Sequence, residues 1–399
     1  MSKRIVLIIM DSVGVGYGKD ADEFGDMGSN TLGSIIRENP RLKIDNLKSM
    51  GILNLEKILP IAQQAKIKMP EKIIGSYGQM SELSKGKDTT TGHLEIAGLE
   101  TSVPSKTYAD GFPKEFIEEF EKRIGRKTMG NISISGVEII EKLGEEHEKT
   151  GNIIVYTSAD SVFQIAANVD IIPLEELYRI CQIAREMLIG KWQCDRVIAR
   201  PYRRVNGKPV RTPDRHDYAL DPHGTTLLDI LKNSGKEVYA IGKIADIFNN
   251  RGITQRVTTK DNNDGISKTI QALKMDFEGL IFVNLVDFDS KYGHRRDPRG
   301  YGEALEQFDF RIPEIMKNLR DDDILIISAD HGNDPCFKGF NHTRENIPLL
   351  VYGKNIKENN YLGIRATFAD ISATASEYFN VDKTGLGKSF LSEILIDGN

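Results

Sequence analysis

Acidic residues and histidines directly follow apolar runs at two places in this 399-residue chain. Asp11 follows the run IVLIIM, while Asp330 and His331 end the segment ILIISADH. In open α/β sheets, ligands bind beyond the carboxyl ends of the strands, so we expect these side chains to face a common site. Taken alone, Asp11 is equally explained by a carboxylate that caps the turn after a buried strand.

Two further segments carry the same residue types. VDFDSKYGH contains Asp287, Asp289 and His294, and GFNHTREN contains His342. A lone loop histidine is usually only solvated, but the four segments together supply enough carboxylates and imidazoles for two metal sites. Mixed oxygen and nitrogen ligands suit manganese, zinc or iron better than calcium or magnesium. Paired metal ions are a recurring solution for phosphoryl transfer.

A fifth segment, SKGKDTTTGH, offers a nucleophile. The candidates are Thr89, Thr90 and Thr91. Asp88 or Thr89 also suits the cap of a helix predicted to begin near His93. Both roles are compatible, because a helix N-terminus favours a phosphate dianion beside it. A hydroxyl needs activation to attack phosphorus, and metal coordination provides it. The residues alone leave the choice among the three threonines open.

The elements that must position these side chains alternate along the chain. Buried strands are predicted at Val6–Met10, Val238–Ile241, Leu280–Val286, Ile324–Ser328 and Leu349–Tyr352. Helices are predicted at Thr225–Asn233, Gly265–Leu273, Tyr301–Leu319 and Phe368–Tyr378. Alternation of this kind predicts an α/β fold with a central, mostly parallel sheet that is flanked by helices.

The middle of the chain, residues 102–218, contains none of the Asp/His clusters. Residues 113–125 read as an amphipathic helix with Pro at its start and Gly after its end. Strands at Ile153–Thr157 and Arg196–Ala199 flank a helix at Leu174–Leu188. We therefore expect a smaller α/β cap domain inserted into a core formed by residues 1–101 and 219–399.

Composition restricts the possible partners and location. The net charge of -5 does not favour a nucleic-acid binder. No segment approaches the roughly 20 apolar residues of a membrane span. Three cysteines without paired spacing indicate reduced thiols. We expect a cytoplasmic protein without nucleic-acid or membrane partners. The loop SVGVGYG does not fit the G-x-G-x-x-G pattern of dinucleotide-binding folds.

Seven motifs together resemble the phosphopentomutase family of the alkaline phosphatase superfamily. They are MDSVGVG, GKDTTTGH, YTSADSVFQIAA, RTPDRHDYAL, NLVDFDSKYGHRRDP, ADHGNDP and HTRE. The resemblance implies an alkaline-phosphatase-like core with an inserted cap, and interconversion of ribose 1-phosphate and ribose 5-phosphate or the 2-deoxyribose pair. It also implies two Mn²⁺ ions, a phosphorylated Thr89 and activation by a bisphosphorylated sugar such as glucose 1,6-bisphosphate. The sequence leaves the oligomeric state open, and a monomer is our default expectation.

The same resemblance assigns residues to sites. One metal would be held by Asp289, His294 and His342, and the other by Asp11, Asp330 and His331. Substrate contacts would fall on Ser158, Asp160, Arg196, Ile198 and Arg211. The two arginines would clamp the distal phosphate, and Ser158 and Asp160 would bind sugar hydroxyls. The alternatives are a metal-dependent phosphatase or a phosphoglycerate-mutase-like enzyme on the same scaffold, and a non-catalytic sugar-phosphate- or metal-binding protein.

Overall fold

The computed structural model describes residues 2–103, 106–158 and 161–396. The chain divides into two compact units. The large unit comprises Met1–Val103 and Pro222–Asn399, and the small unit comprises Pro104–Asp221. In the described ranges, no helix is both long enough and apolar enough to cross a membrane.

The strands follow the chain in this order: β1 Arg4–Met10, β2 Ser76–Met80, β3 Thr128–Ser133, β4 Ile153–Thr157, β5 Val162–Asn168, β6 Arg196–Val205, β7 Lys208–Arg211, β8 His216–Ala219, β9 Glu237–Ile241, β10 Gln255–Val257, β11 Gly279–Leu285, β12 Ile324–Ser328, β13 Ile347–Tyr352 and β14 Asn360–Arg365.

The helices are α1 Thr31–Glu38, α2 Asp45–Ser49, α3 Leu59–Gln64, α4 Thr89–Ile96, α5 Lys114–Ile124, α6 Gly136–Thr150, α7 Leu174–Met187, α8 Leu227–Asn233, α9 Ile244–Ile247, α10 Asn262–Leu273, α11 Pro298–Lys317, α12 Asp370–Phe379 and α13 Leu391–Ile394. Two 3-10 turns lie at Ile52–Asn54 and Gly190–Trp192, and a π-helical turn lies at Phe288–Gly293.

The sheet of the large unit has the strand order β10-β9-β11-β1-β12-β13-β2-β14. Its central strands β11, β1 and β12 run parallel. Among the described strands of this sheet, only the pairings of β13 with β12 and with β2 are antiparallel. The prediction of a mostly parallel central sheet is confirmed. Because the three central strands run in one direction, their carboxyl ends meet at one edge of the sheet.

Apolar sequence explains the central strands. All seven residues of β1 are buried, and so are all those of β11 and β12, as expected for a parallel strand covered on both faces. The prediction of β12 is confirmed with the same bounds, and the other predicted strands of this sheet are confirmed within two residues. A single hydrophobic cluster joins these strands to the helices packed around them, and it includes Leu32 of α1 and Leu305 of α11.

The small unit contains a mixed sheet with the order β3-β4-β5-β6-β7, in which β8 pairs with β6. One face packs against α5 and α7 around Phe116, Phe120 and Phe163. The opposite face packs against α6 around Ile139, Tyr156 and other apolar side chains. The predicted helix at residues 113–125 is confirmed, since α5 begins directly after Pro113 and ends directly before Gly125, whose φ of +69° favours glycine.

Candidate metal and phosphoryl-transfer site

Asp289, His294 and His342 come together in the large unit. Asp289 lies in the π-helical turn after β11, and His294 directly follows this turn, where its N–H donates to the Asp289 carbonyl five residues earlier at 3.0 Å. This wider turn directs both side chains to one point, and Nε2 of His294 lies 3.1 Å from Oδ2 of Asp289. Nε2 of His342 lies 3.5 Å from Oδ1 of the same carboxylate.

A second group consists of Asp11, Asp330 and His331, all buried. Asp11 directly follows β1, and the other two come after Ala329, the residue that follows β12, so adjacent parallel strands deliver all three to the same edge. Nε2 of His331 lies 3.5 Å from Oδ1 of Asp11 and 3.4 Å from Oδ2 of Asp330. The rings of His331 and His342 stack with centroids 3.9 Å apart, which brings the two groups side by side.

The donor set of these groups fits a pair of divalent metal ions. Oδ1 of Asp11 and Oδ2 of Asp330 are buried and accept no hydrogen bond of good geometry from any described residue. Buried carboxylate oxygens without partners are costly, and a cation would satisfy them. Each group offers oxygen and imidazole nitrogen within 4.8 Å, a combination suited to transition metals.

Electrostatics within the groups indicate the same need for cations. Burial and the neighbouring charge of Asp330 raise the pKa of Asp11. Burial also disfavours ionised Asp289, but His342 and His294 outweigh it, so the pKa of Asp289 lies well below its ordinary value. The carboxylates of Asp330 and Asp11 raise the pKa of His331 against the effect of burial. Bound cations would replace these protons and keep the carboxylates ionised.

Thr89 is the first residue of α4, so the expected helix start near His93 is wrong by four residues. The expectation that Asp88 caps this helix is confirmed, because its side chain accepts from the Thr91 N–H at 3.0 Å. Asp88 also accepts from the Thr91 hydroxyl at 2.6 Å. Oγ1 of Thr89 instead lies 3.1 Å from Nε2 of His331, against the second ligand group.

His93 belongs to this site and was not singled out from the sequence. It is fully buried, its Nδ1 lies 2.8 Å from the Thr89 carbonyl oxygen, and the same atom lies 3.2 Å from Oδ2 of Asp330. The signal was its position four residues after Thr89, since residues i and i+4 of a helix share one face.

Two asparagines also hold carboxylates of the two groups. Asn284 of β11 donates to Oδ2 of Asp11 at 2.8 Å, and Asn333 donates to Oδ1 of Asp289 at 2.8 Å. Asp287, a further acidic residue of the VDFDSKYGH segment, has a different role. It accepts hydrogen bonds from the Asn262 N–H at 3.0 Å and from Lys291 at 2.9 Å, which ties α10 to the π-helical turn.

The predicted substrate residues lie in the small unit. Ser158 is half-buried directly after β4, and Asp160 lies outside the described residues. Ile198 is buried on β6. Nη1 of Arg196 lies 3.7 Å from Oδ2 of Asp217. Arg211 is exposed at the end of β7 and lies opposite Tyr202 in the sheet register.

This chain matches a metalloenzyme family model and is similar to known phosphopentomutases. The family model of the Metalloenzyme superfamily matches residues 3–383. A phosphopentomutase of Alkaliphilus metalliredigens is 55% identical over 395 residues, which cover 99% of this chain and 100% of that protein. A phosphopentomutase of Caldanaerobacter subterraneus is 54% identical over 394 residues, which cover 99% of this chain and 98% of that protein.

Solved structures show a more distant likeness. A protein of the alkaline phosphatase superfamily from Vibrio parahaemolyticus is 13% identical, with a TM-score of 0.45, and the alignment covers 98% of this chain and 70% of that one. A likeness at this level supports no conclusion about chemistry.

Proposed function

This chain belongs to the metalloenzyme superfamily and, within it, to the phosphopentomutases, which are isomerases that transfer phosphate, and from that premise we propose a specific reaction and site. The reaction is the interconversion of α-D-ribose 1-phosphate and D-ribose 5-phosphate, or of the 2-deoxyribose pair. It proceeds through phosphorylated Thr89 and a sugar 1,5-bisphosphate.

The placement of Thr89 carries this proposal. Its hydroxyl lies 3.1 Å from His331 at the N-terminus of α4, where backbone N–H groups and the helix dipole favour an anion. Thr91, in contrast, has its hydroxyl engaged by Asp88 at 2.6 Å. Of these two threonines, Thr89 is therefore the one whose oxygen faces the ligand groups.

We propose that two Mn²⁺ ions are held by the two residue groups, with Asp289, His294 and His342 in one and Asp11, Asp330 and His331 in the other. When bound, such ions neutralise charge on the transferred phosphoryl group and lower the pKa of the threonine hydroxyl. Asn284 and Asn333 hold the carboxylates of Asp11 and Asp289 in place by donating to one oxygen of each.

The reaction consists of two phosphoryl transfers. The free hydroxyl oxygen of the pentose phosphate bonds to phosphorus while the bond from phosphorus to Oγ1 of Thr89 breaks, and the hydroxyl proton ends on Oγ1. The resulting bisphosphate then presents its other phosphate. Oγ1 of Thr89 bonds to that phosphorus, the ester bond to the sugar oxygen breaks, and the proton returns to the sugar. Glucose 1,6-bisphosphate would charge Thr89 initially.

We propose that the small unit supplies the substrate contacts. Arg196 and Arg211 would bind the phosphate that is not being transferred, and Ser158, Asp160 and Ile198 would contact the sugar. Guanidinium groups suit this task because they match two phosphate oxygens with forked hydrogen bonds.

Incubation of the full chain with Mn²⁺, glucose 1,6-bisphosphate and ribose 1-phosphate tests the proposal. We expect ribose 5-phosphate to accumulate to equilibrium, with little inorganic phosphate. Release of inorganic phosphate without ribose 5-phosphate would instead identify a phosphatase. Peptide mapping of the protein after treatment with the bisphosphate alone should place one phosphoryl group on Thr89.

A further inference from the structure

The hydroxyl of Tyr156 is buried without a hydrogen-bond partner of good geometry among the described residues. Tyr156 lies on β4 and is 1% exposed. Its ring packs in the small hydrophobic cluster beneath α6, next to Ile139 and Tyr202. Apolar packing therefore explains the buried position of the ring, but it does not explain the buried hydroxyl. A buried hydroxyl without a partner costs free energy, so it indicates a ligand group that completes it.

Three guanidinium groups lie close enough to this hydroxyl to act on it electrostatically. Burial raises the pKa of Tyr156, and the charges of Arg200, Arg211 and Arg215 oppose that rise, as does an approach of Arg200 to the hydroxyl that falls short of good hydrogen-bond geometry. Arg215 is paired with Asp217 through two hydrogen bonds of 2.7 and 2.6 Å. Neither Arg200 nor Arg211 forms an ion pair with any described residue.

Arg200 is held in place by a neutral group. Its Nε donates to Oε1 of Gln164 at 3.1 Å, on the neighbouring strand β5. Burial and the like charges of Arg215 and Arg211 lower the pKa of Arg200. Asp217 offsets only part of this charge, because it is already engaged by Arg215. Three guanidinium groups around one carboxylate leave a positive potential, which an anion would relieve.

The N-terminus of α6 points at the same place. A Cβ added to Gly136, the first residue of this 15-residue helix, would lie 2.2 Å from the Tyr156 hydroxyl and 2.3 Å from Nη2 of Arg211. Glycine at this position permits the close approach of all three. Ser135 satisfies the Glu138 N–H, while the first N–H groups of a helix have no intrahelical partner and favour an anion.

We infer that Tyr156, Arg200, Arg211 and the N-terminus of α6 form a binding site for a phosphate dianion of a small phosphate ester. The tyrosine O–H, the two guanidinium groups and the first helical N–H groups donate to its oxygens. The inference rests on the proposed function for the identity of the ester, whose non-transferred phosphate the site takes. It adds Tyr156, Arg200 and α6 to the substrate residues and makes Arg211, rather than the Asp217-paired Arg196, the main phosphate ligand.

Binding of inorganic phosphate to the full-length chain tests the site without any assumption about catalysis. The chain is stripped of metal with a chelator, because phosphate would otherwise also bind at the metal groups, and phosphate is titrated by calorimetry at low ionic strength. We expect about tenfold weaker binding in Arg200→Gln and about fivefold in Tyr156→Phe. The latter keeps the ring and should remain folded, which a thermal melt verifies.

Arg203→Gln is the matched control. Arg203 lies on the same strand as Arg200, is exposed and pairs with Asp170 at 3.6 Å, so its loss changes net charge equally but leaves the site intact. Equal phosphate affinity in wild type, Arg200→Gln and Tyr156→Phe would overturn the site. An equal loss in Arg203→Gln would also overturn it, because it would show an effect of net charge alone.

Kinetics of the metal-loaded enzyme decide the assignment to substrate. Arg200→Gln and Tyr156→Phe should raise KM for ribose 1-phosphate about five- to tenfold while metal content stays unchanged. Weaker phosphate binding with an unchanged KM would overturn the role in substrate binding. Since phosphate binding is measured without turnover, failure of the proposed isomerisation would leave the binding result readable on its own.

Discussion

Nε2 of His294 and Nε2 of His342 face each other at 3.1 Å, with the Asp289 carboxylate beside both. Nδ1 of His342 lies 3.1 Å from the Lys87 carbonyl oxygen, so Nδ1 donates there, and in the neutral imidazole Nε2 then carries the lone pair. That lone pair points at a carboxylate oxygen, an arrangement that repels unless a cation lies between them. His331 repeats the pattern, with Nδ1 at 3.1 Å from the Gly332 carbonyl oxygen and Nε2 toward Asp11 and Asp330.

Removal of Asp289 should therefore cost one metal ion. We expect Asp289→Asn to bind about one metal fewer per chain by elemental analysis and to lose more than about 100-fold in activity. Chelation of the wild type should abolish activity, and added Mn²⁺ should restore it. Asp287→Asn is the matched control, because Asp287 binds the Asn262 N–H and Lys291 in the same segment. Equal metal content in Asp289→Asn and Asp287→Asn would refute the assignment.

Thr89→Ala should lose isomerase activity by about 10³-fold or more, because it removes the proposed phosphate carrier. Both metal ions should remain bound, since the six metal-group side chains are untouched. Treatment with glucose 1,6-bisphosphate should phosphorylate the wild type and leave the variant unmodified by intact-mass measurement.

Thr90→Ala controls for changes in the same helical turn and should keep near-normal activity. Near-normal activity in Thr89→Ala, with loss in Thr90→Ala or Thr91→Ala, would move the nucleophile to one of the neighbouring threonines. Thr91→Ala also removes a hydrogen bond to Asp88, so its activity has to be compared with that of the wild type at a temperature where both are fully folded.

Local sequence was sufficient where burial decides the structure. The run Ile324–Ser328 forms β12 with the predicted bounds, because five consecutive apolar or small residues fit a strand that is covered on both faces. The predicted helix at Gly265–Leu273 begins three residues earlier, at Asn262, since the Asp261 side chain caps the Asp264 N–H at 2.8 Å.

Residue type and strand ends singled out the candidate metal ligands, and the family resemblance divided them into two sets, but neither predicted their arrangement in space. The π-helical turn that brings His294 to Asp289 has no sequence pattern of its own and depends on packing around Phe288. His93 and Asn284 act through contacts with residues from other segments, namely Asp330 and Asp11. Such contacts appear only once the sheet has assembled.

Arg344 should be a major contributor to the stability of the large unit. Its buried guanidinium binds both carboxylate oxygens of Asp20, Oε2 of Glu82 at 2.6 Å and the Gly86 carbonyl at 2.6 Å. Burial already raises the pKa of Glu82, and the Arg344 charge opposes that rise. Arg344→Met would leave this buried carboxyl without its cation, at a cost of about 3–5 kcal/mol in the free energy of unfolding. Urea unfolding of the full chain measures this change.

Lys354→Met is the comparison for an exposed pair. Lys354 lies 2.7 Å from Asp321, with both side chains more than half exposed, so its loss should cost less than about 1 kcal/mol. Similar losses in the two variants would show that the Arg344 network adds no more than a surface ion pair. Because Arg344 also holds Gly86, three residues before Thr89, Arg344→Met should lower activity at temperatures where it remains folded.

His93 should act as a positioning residue for both Thr89 and Asp330. His93→Phe keeps a ring that can stack on Phe282, at a present centroid distance of 5.7 Å, but it removes the Nδ1–H that reaches the Thr89 carbonyl at 2.8 Å. We expect a 10- to 100-fold loss in Mn²⁺ affinity or activity. His93→Asn places an N–H near the position of Nδ1 and should recover part of the lost Mn²⁺ affinity or activity. A purely structural role of His93 would not produce this recovery.

His223→Asn is the control, at an exposed histidine that contacts the Glu100 carbonyl, and it should behave as wild type. If the activity losses of His93→Phe and His93→Asn simply follow the decreases in their melting temperatures, His93 has only a packing role.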